Sequence, residues 1–465
     1  MTLLGAKIAA ARAVGELARR AGRGGGTSLP GKVLIALEPA AISELSARLP
    51  RGSVVISATN GKTTTAAMVA SVLGHVGVPV VHNRAGANMA GGVASTLLAA
   101  ARAGGRIEGE LGLFEIDEFW LDRVVPQISP RGLLLGNLFR DQLDRYGELE
   151  TIADRWAAVA SRAGASARLV LNADDPLIAD LGRDAPNVTY FGVEDPSVAI
   201  PEMQHASDSK HCRRCGAAYV YDAIYLGHLG RYRCPSCGQQ RPAPAVAAER
   251  ISLAGTRASR FDLTTPAGSA TVELPLPGLY NVYNALGAAS LCLGLDVALD
   301  DIAAGLRDVQ AAFGRAERIA VGDVELQVLL IKNPAGANEI LRTLVLENEE
   351  LDLLAILNDR TADGRDVSWV WDADFEVLAG RVRRVTCAGT RAAELAVRLK
   401  YAGVPSERLH VTPGLSHALD EALAETPSGH LYALPTYTAL LELRHELATR
   451  GHAVQFWEPA AVSGR

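Results

Sequence analysis

Short, mostly apolar runs recur along most of the chain and alternate with longer stretches whose apolar residues fall at helical spacing. The runs at 54–56, 111–116, 132–135, 168–171 and 188–191 are too short for buried helices, so they predict buried strands. Helices are predicted between them, among others at 66–73, 91–103 and 152–163. That alternation predicts a parallel sheet with helices packed on it. A β-rich stretch then runs to Leu276, and after Arg315 a second α/β pattern begins, with strands near 324–331, 353–357, 384–387 and 429–433. There is no internal repeat and no low-complexity tract beyond alanine-rich helices.

Ahead of these runs, residues 3–20 have the pattern of an alanine-rich amphipathic helix carrying Lys7, Arg12, Arg19 and Arg20, followed by a glycine-rich linker at 22–26. Two readings of that helix stay open: packing on the domain with solvated arginines, or contact with an anionic membrane surface. No secretory h-region and no apolar run of membrane-spanning length is present, so a cytoplasmic location is expected. The predicted organisation is an N-terminal helix and linker over 1–48, a central domain over 49–314, and a C-terminal α/β domain over 315–465.

The first strand opens directly into Ala58-Thr59-Asn60-Gly61-Lys62-Thr63-Thr64-Thr65. Strand, glycine turn, lysine and hydroxyls in this order spell a phosphate-binding loop, in which backbone N–H groups at a helix start hold a triphosphate and glycine permits their close approach. Lys62 then neutralises the terminal phosphates, and the Thr63 hydroxyl ligates Mg²⁺. Ile56 stands where the full pattern has its first glycine, so Thr59, Asn60, Gly61, Lys62, Thr63 and Thr64 make a shorter variant. The competing reading is a plain strand-to-helix turn with a surface lysine, and the order of elements favours the nucleotide.

Four of the six cysteines fall as Cys212-x2-Cys215 and Cys234-x2-Cys237, within a segment of about 205–245 that reads as an insertion. Each C-x2-C turn presents two thiolates to one ion, and Gly216 and Gly238 relieve the backbone after each pair. Four sulfurs close a tetrahedral shell, which predicts a structural zinc ribbon with no open position for a catalytic water. His211 and His228 are alternate ligands that a full thiolate set does not need. Cys292 and Cys387 sit alone in apolar stretches and are expected in the core.

The net charge of −6, with both signs interspersed along 465 residues, gives no overall nucleic-acid footprint. A local basic patch remains in the ribbon, where Arg213, Arg214, Arg231 and Arg233 accompany Tyr232.

The phosphate loop, Glu115-Ile-Asp-Glu118, Gly278-Leu-Tyr-Asn281-Val-Tyr-Asn284 and Gly314-Arg315-Ala-Glu317 succeed one another in the order of the Mur ligase superfamily, which this chain resembles. The superfamily comprises ATP-dependent amide-bond-forming enzymes. Within it, the four-cysteine insertion and Leu357-Asn-Asp-Arg-Thr-Ala-Asp-Gly-Arg-Asp-Val-Ser-Trp369 are similar to the MurT family, the ligase subunits of lipid II isoglutaminyl synthases. Asn83-Arg-Ala-Gly-Ala-Asn-Met89, Phe139-Arg-Asp-Gln-Leu-Asp-Arg145, Asn172-Ala-Asp-Asp-Pro176 and Lys332-Asn-Pro-Ala-Gly336 extend the resemblance over nearly the whole chain.

The resemblance implies an α/β fold with a Mur ligase-like central P-loop domain and parallel sheet, an inserted zinc ribbon and a C-terminal Rossmann-like domain. It implies ATP-dependent activation of the D-glutamate α-carboxylate in the lipid II stem peptide as an acyl phosphate, which ammonia displaces to give D-isoglutamine in peptidoglycan biosynthesis. ATP, Mg²⁺ and structural Zn²⁺ are the implied cofactors. Lys62 clamps phosphate, Thr63 and Glu115 hold Mg²⁺, and Asn281 and Asn284 lie beside the nucleotide or else cap the helix after Gly278. Arg315 reaches the phosphates or pairs with Glu317.

No cysteine here sits on a nucleophile elbow with a histidine partner, so ammonia implies a separate subunit. The family's partner is a GatD-like glutaminase, in a heterodimer that meets lipid II at the inner membrane face. The matching residue that orients the partner's catalytic histidine is Asp366, with Asp359 and Asp363 as competitors. Two departures from the wider superfamily stand out. Asp141-Gln142 replaces an aspartate–histidine pair that holds a second metal, and Lys332-Asn333-Pro334 replaces a segment that contacts ribose. The rival readings are an amino-acid-adding Mur or folylpolyglutamate-type ligase, and a zinc-ribbon ATPase that binds nucleic acid.

Overall fold

The chain is described by a computed structural model over residues 3–20, 28–83, 87–102, 105–141, 149–205, 207–311 and 315–453. The predicted strands appear as β1 (Ser53–Ser57), β3 (Leu111–Glu115), β4 (Gly132–Leu135), β5 (Arg168–Asn172) and β6 (Val188–Val193), with an unpredicted β2 (Val80–His82) between the first two. A hairpin of β7 (Val220–Leu226) and β8 (Leu229–Arg233) comes next, then β9 (Val246–Ala254), β10 (Ala258–Thr265) and β11 (Gly268–Leu274). Apart from the β7–β8 hairpin, these strands form one sheet in the order β11-β10-β9-β6-β5-β4-β1-β3-β2. It is parallel from β2 to β9 and antiparallel through β9, β10 and β11.

Every residue of β1, β3 and β4 is buried, as helices on both faces require, and this explains their mostly apolar runs. β1 lies between β3 and β4. Its carboxyl end therefore opens at a reversal of strand order, the crevice where open α/β sheets bind ligands. β2 was not visible in the sequence, because it is three residues long at the sheet edge.

After residue 314 the strands are β12 (Arg315–Val321), β13 (Val324–Leu329), β14 (Leu351–Ile356), β15 (Val382–Ala388), β16 (Leu409–Val411) and β17 (His430–Pro435). They form a second sheet ordered β12-β13-β17-β14-β15-β16, parallel except for the β12–β13 hairpin. The amphipathic β12 was not predicted as a strand, since its charged residues break the apolar run. The loops leaving β13 and β14 face the phosphate loop, as Lys332 shows by donating to the Thr59 carbonyl at 3.2 Å.

The first helix, Leu3–Arg20, packs against helix Leu29–Leu37 and buries Leu4, Ile8 and Ala11. Arg12 donates to the Leu98 carbonyl at 2.8 Å, so this helix is a structural part of the fold. The glycine-rich linker at 22–26 lies outside the described residues. Among the described residues no helix is long and apolar enough to cross a membrane.

Candidate active site

Gly61 adopts φ 87° and precedes helix Lys62–His75, whose start lies four residues upstream of the predicted one. A Cβ at Gly61 would lie 2.0 Å from Asn284 Oδ1, so conformation and space both demand glycine there. The loop is pinned from the next strand: Asn60 N donates to Asn137 Oδ1 at 2.9 Å, and Phe139 N donates to Thr59 Oγ1 at 3.1 Å. Thr59, Asn60, Gly61, Lys62, Thr63 and Thr64 all line one cleft of about 520 Å³, which Glu115 and Asn284 also border.

Lys62 is buried and donates to Glu118 Oε2 at 2.8 Å. Burial opposes its charge, but Glu118, Asp117 and Glu115 outweigh burial, and the Lys62 pKa is raised. Burial likewise opposes ionisation of Glu118, yet Lys62 and Lys332 prevail and hold that carboxyl below its ordinary value. Glu118 had no role assigned from sequence, although it closes the Glu115-Ile-Asp-Glu118 motif.

Thr63 Oγ1 donates to Glu115 Oε1 at 2.9 Å, while Glu115 Oε2 is buried without a hydrogen-bond partner. The Glu115 backbone is fixed by Asn83, which accepts from its N–H at 2.8 Å and donates to its carbonyl at 2.7 Å. A hydroxyl and an orphaned carboxylate oxygen beside a phosphate loop are hard oxygen donors, and they fit a Mg²⁺ ion.

Asn281 and Asn284 act in series. Asn281 Nδ2 donates to the Pro277 carbonyl at 2.7 Å, and Asn284 Nδ2 donates to Asn281 Oδ1 at 3.1 Å. Asn284 Oδ1 accepts from Thr65 at 3.3 Å. Asn281 thus braces the helix start through the Pro277 carbonyl, while Asn284 borders the cleft; the helix is preceded by Gly278 and carries no side-chain cap. Tyr283, from the same helix, donates to buried Asp174 at 2.6 Å.

The C-terminal sheet supplies the opposite wall. Lys332 Nζ lies 2.5 Å from Asp141 Oδ2, and Asn333 and Asn60 exchange amide hydrogen bonds at 3.0 and 3.3 Å. Asp141 is thereby paired with an ammonium, and Gln142 lies outside the described residues. Arg315 begins β12, but its side chain also lies outside the described residues. Glu317, the alternative partner proposed for Arg315, pairs with Arg444 at 2.7 Å.

The three candidate aspartates after β14 have distinct surroundings. Asp363 is buried and accepts from Thr438 N at 2.7 Å. Asp359 accepts from Thr390 Oγ1 and Arg391 Nε, both at 2.8 Å. Asp366 is exposed; its Oδ1 accepts from Ser368 N at 2.8 Å, and that bonding to Ser368 holds its carboxyl below the ordinary value. Thr361, between them, lines both the phosphate cleft and an open depression bordered by Arg360, Arg365 and Arg391.

Cys212, Cys215, Cys234 and Cys237 bring their sulfurs within 4.8 Å of one another, and among the described residues this is the metal-competent cluster. Neither His211 nor His228 belongs to it. The two turns are alike: Gly216 N donates to the Cys212 carbonyl at 2.7 Å and Gly238 N to the Cys234 carbonyl at 3.2 Å, with both glycines at positive φ. Backbone bonding from Ala217 and the neighbouring Cys234 pull the Cys215 thiol down to about 6. At Cys237 backbone bonding from Gln239 acts in the same direction but is outweighed: burial and the other three sulfurs push that thiol up to about 12, as close-set thiols do when no cation lies among them. The cluster fits a structural Zn²⁺.

Cys292 and Cys387 are buried, and burial pushes both thiols up to about 12, as core residues require. The basic patch is largely consumed by ion pairs: Arg213 with Asp154, Arg214 with Asp180 and Arg231 with Glu194, while Tyr232 is buried. That removes the stacking tyrosine and three free charges from a nucleic-acid surface.

Residues 56–232 match the Mur ligase middle domain and residues 330–440 match the MurT ligase C-terminal family. The chain is 34% identical to the lipid II isoglutaminyl synthase (glutamine-hydrolyzing) subunit MurT of Streptococcus pneumoniae, over 92% of this chain and 93% of that protein. It is 32% identical to the subunit of the same name from Staphylococcus aureus, over 93% and 96% respectively. Among solved structures, a pseudomurein peptide ligase type C from Methanothermus fervidus aligns with TM-score 0.66 and 23% identity, over 88% of this chain and 80% of that one, a likeness of fold alone.

Proposed function

We propose, from the premise that this chain belongs to the MurT family of Mur ligase-type, ATP-dependent ligases of peptidoglycan synthesis, that it amidates the α-carboxylate of D-glutamate in the lipid II stem peptide. The observation that carries the ATP chemistry is the buried, unpartnered Glu115 oxygen beside Thr63 at the start of the phosphate-loop helix. Mg²⁺, when bound there, neutralises phosphate charge and orients the terminal phosphoryl group.

The chain's own residues position the substrates. The backbone of Asn60 to Thr64 receives the phosphates, and Lys62 exchanges part of its bonding to Glu118 for the terminal oxygens. Carboxylate oxygen attacks phosphorus and the bond to ADP breaks. Ammonia then attacks the acyl carbon, inorganic phosphate leaves, and the spare protons pass to solvent. Lys332, from the C-terminal sheet, adds a second positive charge to this cleft.

Ammonia comes in this reading from a GatD-like glutaminase seated on the C-terminal domain, with Asp366 as the carboxylate that positions the partner's histidine. Asp363 is buried on Thr438 and Asp359 is paired with Arg391, whereas Asp366 is exposed and engages its neighbour Ser368, which favours Asp366. The zinc ribbon is assigned a structural role, residues 49–314 the ATP-binding body, and residues 315–465 the partner-facing domain. The test is an assay of the purified complex with lipid II, Mg-ATP and glutamine. Hydroxylamine should trap the activated carboxylate as a hydroxamate, and ¹⁵N from amide-labelled glutamine should appear in the product. ATP hydrolysis without hydroxamate would exclude the acyl phosphate.

A further inference from the structure

Burial in the four-cysteine hairpin runs the wrong way for an appendage. Val220, at the start of the hairpin, is 40% exposed, whereas Tyr225, Leu226, His228 and Leu229 at the tip are at most 5% exposed. A free hairpin exposes its tip; one that buries it is docked there. Two contacts make the dock: His228 packs on Phe139 with ring centroids 4.7 Å apart, and Gly230 N donates to the Asp174 carbonyl at 2.9 Å.

The tip also reaches the catalytic cleft and the second sheet's domain. Leu226 and Leu229 line the cleft that holds the phosphate loop, together with Tyr280 and Tyr283. The Tyr225 carbonyl accepts from Arg342 Nη1 at 2.7 Å, and Arg342 lies on helix Pro334–Leu344, which comes directly after Lys332 and Asn333. Glu339, one turn earlier on that helix and also bordering the cleft, holds Arg342 at 2.8 Å. At the hairpin's entry, His205 Nδ1 lies 3.1 Å from Asp374 Oδ1, and Asp374 bonds Asn338 of the same helix at 2.9 and 2.7 Å.

We propose that the tip of the four-cysteine hairpin is a working wall of the nucleotide site: Leu226 and Leu229 receive the purine ring, and Arg342 latches the C-terminal domain onto the tip. The inference rests on the ATP reading of the cleft. With the phosphates fixed at Asn60 to Thr64, an apolar face of leucine and tyrosine in the same cleft is matched to a flat aromatic base. Because Lys332 precedes helix Pro334–Leu344 and Arg342 sits in its last turn, the latch also sets how the C-terminal cation sits over the phosphates.

The experiment is hydrogen exchange on the full chain with and without the Mg²⁺ complex of a non-hydrolysable ATP analogue, paired with affinities for that analogue and for inorganic tripolyphosphate. Amides of 225–230 and 335–344 should slow together with those of 58–65. Leu226→Ala should weaken the analogue about tenfold and leave tripolyphosphate unchanged, because only the base contact is lost. Arg342→Ala should weaken both by a similar factor, about tenfold. Protection at 58–65 without protection at 225–230, or both variants binding like the parent, would overturn the hairpin's role and leave the ATP site standing. Absence of protection at 58–65 would overturn the ATP reading itself.

Discussion

Lys62 and Glu118 close a buried ion pair at 2.8 Å, each with a side chain 8% exposed. Deep burial makes the pair weak evidence for stability as such, since the desolvation of two charges offsets their attraction. The pair matters for how the site responds when one member is removed or when phosphate arrives. In the free protein Glu118 is the counter-ion that keeps a buried ammonium tolerable; in the nucleotide complex proposed above the phosphates would share that task.

Glu118→Gln should therefore destabilise the free protein, by up to about 3–5 kcal/mol, because it removes the direct counter-ion of a buried ammonium. It leaves that ammonium the Ala58 and Thr59 carbonyls and the more distant Asp117 and Glu115. Mg-ATP should raise the melting temperature of this variant by more than it raises that of the parent. Thermal unfolding with and without nucleotide checks both statements. An equal nucleotide-induced rise in the two proteins would show that Lys62 does not turn toward phosphate. With Glu118 lowered and Lys62 raised, the pair's stabilising contribution spans neutrality. It is lost as pH falls through the Glu118 value and, at the other end, as pH rises through the Lys62 value.

Gly61→Ala should abolish tight nucleotide binding. The substitution forces an L-residue to φ 87°, costing about 1 kcal/mol or more, and sets a methyl group 2.0 Å from Asn284 Oδ1. Asn284→Gly in the same chain removes the clash but not the backbone cost, and it also removes the cleft-side amide that Thr65 bonds; Asn284→Gly alone is the reference for that loss. The double variant should therefore recover only part of the affinity, as isothermal titration with ATP can show. Full recovery would mean that space alone selects glycine there.

Chemistry written in neighbouring residues was legible in the sequence. The phosphate loop and the two C-x2-C turns each place their chemistry within a few positions, and the short apolar runs announced the parallel sheets. Glu118, Lys332 and Asn333 received no site role because their importance arises from contacts across 56, 191 and 273 positions of chain. The buried hairpin tip was hidden for the same reason: Tyr-Leu-Gly-His-Leu reads as an ordinary turn until Phe139 and Arg342 arrive from elsewhere. Strand β12 was missed because a hairpin edge tolerates charges that a sheet centre does not.

Asp366 and Asp363 should separate cleanly by experiment. Asp363→Asn leaves the Thr438 N–H and hydroxyl facing an amide in a buried site, and should cost about 1–3 kcal/mol of stability. Asp366→Asn should leave melting nearly unchanged and yet suppress glutamine hydrolysis by the paired glutaminase by about 10⁴, the scale set when the orienting acid of a triad becomes an amide. Bonding to Ser368 holds the Asp366 carboxyl low, so it stays ionised on the acid side of neutrality, and the acid limb of hydrolysis belongs to other groups. An Asp366→Asn complex that hydrolyses glutamine at the parent rate would remove this residue from the reaction.

Removing zinc should unfasten the base of the hairpin before it touches the phosphate loop. Four sulfurs within 4.8 Å cannot all stay ionised without a cation, as the raised Cys237 thiol shows, so the proposed metal is what holds the two knuckles together. The tip has its own anchors in Phe139 and Asp174, so the insertion should loosen from its cysteine end. Chelation at neutral pH should release one zinc per chain, measured with a colorimetric metal indicator, and should lower the melting temperature while ATP still protects amides 58–65 from exchange. Acidification should promote release, because protons compete for the thiolates. A chelated protein with unchanged melting temperature but no nucleotide protection would overturn the structural role and place the metal in the ATP chemistry.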